Sequence, residues 1–108
     1  MNKQIIDALK NLSVPVSFQT YSGSATTYIT FSKYLENVES YADNKETSIS
    51  SYIQVNVFSK GDYTTLVNSV LDALKQAEFR RTYVTEMYES DTKIFHKVIR
   101  ITKNKEVI

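Results

Sequence analysis

Few side chains in this 108-residue chain are equipped for chemistry, and their spacing limits what they can do. His96, the one histidine, stands between Phe95 and Lys97 in an extended run, where no further nitrogen, sulfur or clustered carboxylate ligand accompanies it. With no cysteine, the chain forms no disulfide, thiolate zinc site, iron–sulfur cluster or cysteine nucleophile. Its acids are dispersed, so none are paired at a spacing that suits general acid–base work. The stretch Gly61-Asp62-Tyr63-Thr64-Thr65 has the outline of a phosphate loop but lacks the second glycine and the Lys-Ser/Thr pair, and a helix cap at Asp62 accounts for it better. Arg80-Arg81 could hold phosphate or a neighbouring subunit's carboxylates, because guanidinium forks match both; the alternative is simple placement near the C-terminal end of a helix. No catalytic, cofactor-binding or metal-binding residue is assigned.

The elements that position these residues are announced by a change of hydrophobic period at Gly61-Asp62. Before it, Ile53, Val55 and Val57 share one face of an extended run, while Tyr52, Gln54, Asn56 and Phe58 share the other. After it, Leu66, Val67, Val70, Leu71, Leu74 and Ala77 recur at helical spacing, a stripe that needs a sheet to lie on. Upstream, Ile5, Ile6, Leu9 and Leu12 predict a short amphipathic helix over 2–12, ended by Val14-Pro15, since the residue before proline is driven from helical geometry. Val16 and Phe18 begin a first strand, Tyr21 to Ala25 a loop, and Thr26 to Leu35 a second strand with Ile29, Phe31 and Leu35 on one face. That strand continues weakly to Tyr41, turns over Ala42 to Glu46 and resumes near Thr47 as a long antiparallel hairpin. Its outer end, Glu36 to Ser48, is poor in aliphatics and is expected to project beyond the core. Two more strands, Thr82 to Glu89 and Lys93 to Thr102, are separated by Ser90-Asp91-Thr92; from Asn104 a frayed tail is expected.

The reading is one α+β domain over residues 1–108: two helices on a mainly antiparallel sheet, with a long projecting β-hairpin. The expected core is Ile5, Leu9, Phe31, Ile53, Val55, Val57, Leu66, Val70, Leu71, Leu74, Ile99 and Ile101. No apolar run approaches the ~20 residues of a membrane helix, and the opening residues meet a charge before any secretory h-region develops, so cytoplasmic residence is the default and the Asn11-Leu12-Ser13 acceptor spacing is read as chance. Thirteen basic and twelve acidic residues give a net charge of +1, little field for a nucleic-acid binder. Charge is uneven, though: residues 1–79 carry six lysines and eight acids, and 80–108 carry seven lysines or arginines and four acids. Two glycines and one proline stand against eight tyrosines and five phenylalanines. Such a surplus of tyrosine suits contacts between subunits, and equally suits strands as such.

Val14-Pro15-Val16, Tyr28-Ile29-Thr30-Phe31, the run Tyr52 to Lys60 with Asp62-Tyr63 opening the helix, Ala77-Glu78-Phe79 and Phe95-His96-Lys97, taken in order, resemble the small tail completion proteins of siphophages and prophages, the tail terminators. The chain departs from that family at Asn56, where relatives often carry Asp, and at Glu78, where glycine is usual. The resemblance implies a structural, non-enzymatic α+β subunit that forms a homo-oligomeric ring, commonly hexameric, on the head-proximal end of the tail tube. Such a ring stops tube polymerisation and helps join tail to head. Its partners would be the tail tube protein and the head–tail connector, with DNA touched only in passage through the ring and no membrane involved. It would assemble in the bacterial host cytoplasm and end in the virion tail. A closed ring uses heterologous contacts. The candidate interface pairs a basic side, Arg80, Arg81, Lys97 and Arg100, with an acidic side, Glu36, Glu39, Asp43 and Glu46, anchored by Tyr34 and Tyr41; the alternative is that both are solvated faces. A different function also stays open, a nucleic-acid-binding module in which exposed tyrosines stack bases and the same four basic residues hold phosphates.

Overall fold

The computed structural model describes residues 2–40 and 46–106, with side-chain surroundings over 3–34 and 50–103. Its elements follow the predicted changes of period: α1 (Asn2–Leu9), β1 (Val16–Phe18), β2 (Thr27–Ser40), β3 (Glu46–Ser59), α2 (Thr64–Gln76), β4 (Arg80–Glu89) and β5 (Ile94–Glu106). The strands form one sheet in the order β1-β2-β3-β5-β4, antiparallel throughout except that β1 runs parallel to β2. This is an α+β fold, as the sequence leads one to expect.

Both helices lie on the face that alternation makes aliphatic. Ile29 pairs with Val57 and Phe31 with Val55, and on the other side of β3 Val55 pairs with Ile99 and Ile53 with Ile101. Over these rows sit Val67, Val70 and Leu74 of α2 and Ile5 and Leu9 of α1, all buried in one cluster. Two residues expected in the core, Leu66 and Leu71, are only half-buried. The buried stripe of α2 runs Tyr63, Val67, Val70, Leu74, and the two leucines flank it. Phe79 and Val98 are buried as well.

Three further expectations are corrected. The first helix ends at Leu9 and passes into a 3₁₀ turn over Lys10–Leu12, leaving Ile6 exposed and Ser13 left-handed, with φ 61°, ahead of Val14-Pro15. A bulge between Lys33 and Leu35 sets Leu35 opposite Tyr52, so the alternation begun by Ile29 and Phe31 does not carry through to it. Instead of fraying at Asn104, β5 continues along β3 to pair Asn104 with Ser50 and Glu106 with Ser48. Polar strands hold there because β3, once longer than the core needs, offers an edge of unpaired backbone groups that β5 satisfies. The outer half of the β2–β3 hairpin is therefore flanked by a third strand.

The end of α2 resolves the oddity at Glu78. Phe79 N–H donates to the Leu74 carbonyl at 3.0 Å and Glu78 N–H to the Lys75 carbonyl at 3.0 Å, the paired bonds of a Schellman cap with Glu78 left-handed at φ 69°. Lys103 Nζ donates to the Ala77 carbonyl at 2.9 Å and lies 4.8 Å from the Phe79 ring centre, so a neighbouring strand also stabilises the cap. A residue with a Cβ still costs about 1–2 kcal/mol in that conformation. Glu78→Gly is thus expected to stabilise the fold by roughly 0.5–1 kcal/mol after the greater freedom of glycine in the unfolded chain is deducted. A thermal midpoint unchanged or lowered in that variant would show that the strain is relieved elsewhere.

Candidate functional site

With both helices on one side, the other face of the sheet carries no helix. Alternation places Tyr28 and Thr30 of β2, Gln54, Asn56 and Phe58 of β3, and His96, Val98 and Arg100 of β5 on it. These side chains are organised by one another. Tyr21, folded back from the loop before β2, stacks on Tyr28 at 4.4 Å; Tyr28 stacks on Phe58 at 4.8 Å, and Phe58 on His96 at 4.2 Å. Tyr21 keeps its place by accepting a hydrogen bond from Ala25 N–H at 2.9 Å, and Gly23 is required under it, since a Cβ there would meet the tyrosine hydroxyl.

Beside this aromatic row runs a polar one. Arg100 Nε donates to Gln54 Oε1 at 3.3 Å, and Gln54 Nε2 donates to Asn56 Oδ1 at 2.9 Å. His96 Nε2 lies 2.8 Å from that same oxygen, while Asn56 Nδ2 donates to Thr30 Oγ1 at 3.3 Å. With Asn56 Oδ1 as acceptor, the imidazole carries its proton on Nε2. Burial lowers the His96 pKa below its ordinary 6.5, against the opposing pull of the Glu89 carboxylate. Further along, the Arg100 guanidinium lies over Tyr34 at 5.1 Å and Tyr83 at 5.6 Å, a cation held between two exposed rings.

On the helix side, the start of α2 is tied to β4. Tyr63 is buried, packs on Phe95 and donates its hydroxyl to Glu86 Oε1 at 2.6 Å, where Lys97 Nζ also approaches at 3.9 Å. Burial, followed by the bond to Glu86, pushes the Tyr63 phenol well above its ordinary value. Asp62 accepts from Thr64 N–H at 3.0 Å and Thr64 Oγ1 at 2.9 Å, which hold its carboxyl below the usual range. This is the helix-start role expected of it. At the other end of α2 opens a groove of about 820 Å³, floored by Leu71, Leu74, Phe79 and Ile101 and bordered by Asp72, Lys75, Glu78, Arg80 and Arg81.

The four basic residues of the candidate interface therefore do not form one surface. Lys97 pairs with Val57 and Glu86, so it stands on the helix side, whereas Arg100 pairs with Gln54 and Tyr83 on the helix-free side. The three-residue separation forces this in a strand. Arg80 and Arg81 open β4 and border the groove. Of the opposing set, Glu36 pairs with Ser51, Glu39 with Ser48 and Glu46 with Ser40 along the outer hairpin, while Tyr41 and Asp43 lie outside the described residues. Tyr34 sits 6.2 Å from the Tyr52 ring and beside Arg100, joining members of the two proposed sides within a single subunit.

Sequence reasoning assigned Gln54 and Asn56 to the right face but not to a network; their partners lie up to 46 residues away, and no local spacing signals that. Among the described residues no cluster of three His, Cys, Asp or Glu is placed to hold a metal, and no helix is long and apolar enough to cross a membrane.

No family model matches the chain, and no curated protein matches it in sequence. Solved structures do resemble it in fold. A chain of the virion of a native gene transfer agent particle aligns with 98% of this chain and 91% of its own length, with a TM-score of 0.61 and 11% identity. A second solved chain aligns with 99% of this chain and 90% of its own, with a TM-score of 0.54 and 17% identity. At such identities the shared property is the fold, matched nearly end to end in both.

Proposed function

We infer that this chain is a structural subunit of a phage-like particle, and more closely a tail terminator: a protein that forms a ring at the head-proximal end of the tail tube and helps join tail to head. The observation that carries this reading is the likeness of fold, over nearly the whole of both chains, to a component of a gene transfer agent virion. The sequence resemblance to tail completion proteins points the same way. A helix-free sheet face bearing Tyr34, Tyr83 and Met87, all exposed, offers two aromatic rings and a methionine, side chains that subunit contacts favour. On this reading the partners are further copies of the chain, the tail tube protein and the head–tail connector, and no catalytic step is involved.

Electron microscopy of the purified protein, with its mass measured by light scattering, tests the reading. Closed rings are expected, and in a mixture with tail tubes they should bind one end and halt elongation. A particle that keeps monomer mass at every accessible concentration and leaves tube growth unaffected overturns it. Salt-sensitive binding of single-stranded DNA by that monomer would instead favour a nucleic-acid-binding role.

A further inference from the structure

We propose that β4 pairs antiparallel, edge to edge, with β4 of a second copy of this chain. In the order β1-β2-β3-β5-β4 it closes one side of the sheet, and among the described residues no strand pairs with its outer side. An outermost strand leaves alternate backbone N–H and C=O groups without a partner in the sheet, which makes it a template for another extended chain unless shortness, proline, lysine or a bulge blunts it. The opposite edge is blunted in this way, since β1 has three residues. β4 has ten and holds neither proline nor lysine, and its one irregularity, between Arg81 and Tyr83, leaves the run from Tyr83 to Glu89 in regular register with β5.

The side chains of β4 fit a second β4. Tyr83, Met87 and Tyr88 are each about half exposed, while the inner strands β3 and β5 expose no large hydrophobic side chain among the described residues. Charge changes sign along the strand, from Arg80 and Arg81 at its start to Glu86 and Glu89 toward its end. An antiparallel copy complements that gradient, because it lays its acidic end beside the two arginines and its own arginines beside the acids. A two-fold axis normal to the sheet through Thr85 keeps the two helix-free faces on one side. It sets Tyr83 opposite Met87 of the second copy, and Met87 opposite its Tyr83, on that face. Thr85 then meets its own copy. Past the irregularity, Arg80 is level with Thr102 and comes alongside Glu89 of the second copy on the helix-free face; Arg81 is level with Ile101 and comes alongside Tyr88 on the helix side, where a guanidinium over a phenol ring is favourable. An axis one residue earlier, through Val84, sets Tyr83 against Thr85 instead and leaves the exposed side chains unmatched. The contact is isologous and closes at two copies. It does not build a ring, whose heterologous contact must lie elsewhere, so it goes beyond the tail reading and stands without it.

Sedimentation over a range of concentration, with the fold of each variant checked by circular dichroism, tests the pairing. The wild type is expected to reach dimer mass, Arg80→Glu with Arg81→Glu to raise the concentration at half-dimerisation about tenfold or more, and adding Glu89→Lys to recover most of that loss. Because the chain has no cysteine, a short bismaleimide gives a second measurement. Thr85→Cys should crosslink to itself. Tyr83→Cys alone and Met87→Cys alone should do so poorly, each lying about 13 Å from its own copy, yet a mixture of the two should crosslink across. A wild type that associates while Thr85→Cys does not crosslink to itself overturns the edge pairing and leaves the tail reading intact, and so does a folded arginine variant that dimerises at the wild-type concentration. Where the arginine variant does not fold, the crosslinks decide. Dimers that crosslink at residue 85 but never form rings or halt tubes overturn the tail reading alone. A wild type that never leaves monomer mass overturns both.

Discussion

Shortening Leu74 to alanine is expected to cost about 2–5 kcal/mol of stability, and the same change at Leu71 distinctly less. Both leucines belong to the apolar stripe of α2, and by sequence alone they are interchangeable. In the fold they differ: Leu74 is 2% exposed, over the sheet, whereas Leu71 is half-buried at the edge of the groove. Leu74 also supplies the carbonyl that accepts from Phe79 N–H in the helix cap, and the Phe79 ring is buried in the same cluster. A cavity at Leu74 would therefore open beneath the turn that leads the chain into β4, where little can collapse to fill it. At Leu71, solvent already reaches part of the side chain, so less transfer free energy is lost. Urea denaturation of the two variants measures the difference; equal losses would mean that α2 packs on the sheet by another face.

That contrast shows where sequence stopped being informative about the fold. Alternation at Ile53, Val55 and Val57 and the helical recurrence after Asp62 were enough to place a strand, a helix and the face on which they meet, because each pattern is written in neighbouring residues. Which residues of a broad stripe are covered depends on how the helix rolls against the sheet, and this is settled by contacts with Ile5, Leu9 and Ile101, far away along the chain. The bulge at Leu35 was invisible for a different reason: no glycine or proline marks it, and it is the pairing with Tyr52 that reveals it. Likewise, the polar residues from Asn104 looked like a tail because their strand is held by hydrogen bonds to β3, not by apolar side chains.

The candidate surfaces were legible only as composition. An uneven charge distribution drew attention to Arg80 and Arg81, whose place at the border of a groove could not be foreseen, and grouped Lys97 with Arg100, which stand on opposite faces of the sheet. Counting charge along a strand ignores that positions three apart face opposite ways. The stacking of Tyr21, Tyr28, Phe58 and His96 spans three strands and a loop, so a sequence shows a surplus of aromatics without showing that they form one row.

Replacing Asn56 by aspartate is expected to reverse the direction in which His96 responds to its surroundings. In the present chain burial lowers the histidine pKa below 6.5. The unfolded chain then takes up a proton more readily than the fold does. The contribution of His96 to stability is complete above about pH 6.5, is eroded as pH falls toward the depressed folded value, and levels off below it. Aspartate would put a carboxylate oxygen where Asn56 Oδ1 now lies, 2.8 Å from Nε2, while Gln54 Nε2 still donates to it and the Thr30 hydroxyl turns to donate in place of accepting. An anion at that distance favours the imidazolium by roughly one to three pH units, enough to outweigh burial at a half-buried site. With the folded value raised above the unfolded one, the sign changes: the added stability is fully present below about pH 6.5 and is lost as pH rises through the raised value. Proton NMR reads this cleanly because the chain has one histidine. The ring resonance should titrate below 6.5 in the parent and above it in Asn56→Asp, and the difference between their urea midpoints should favour the variant more at about pH 5 than at about pH 7.5. An unchanged titration would mean that the ring does not hold its bond to residue 56 in solution, and that the polar row on the helix-free face is not the organised surface described above.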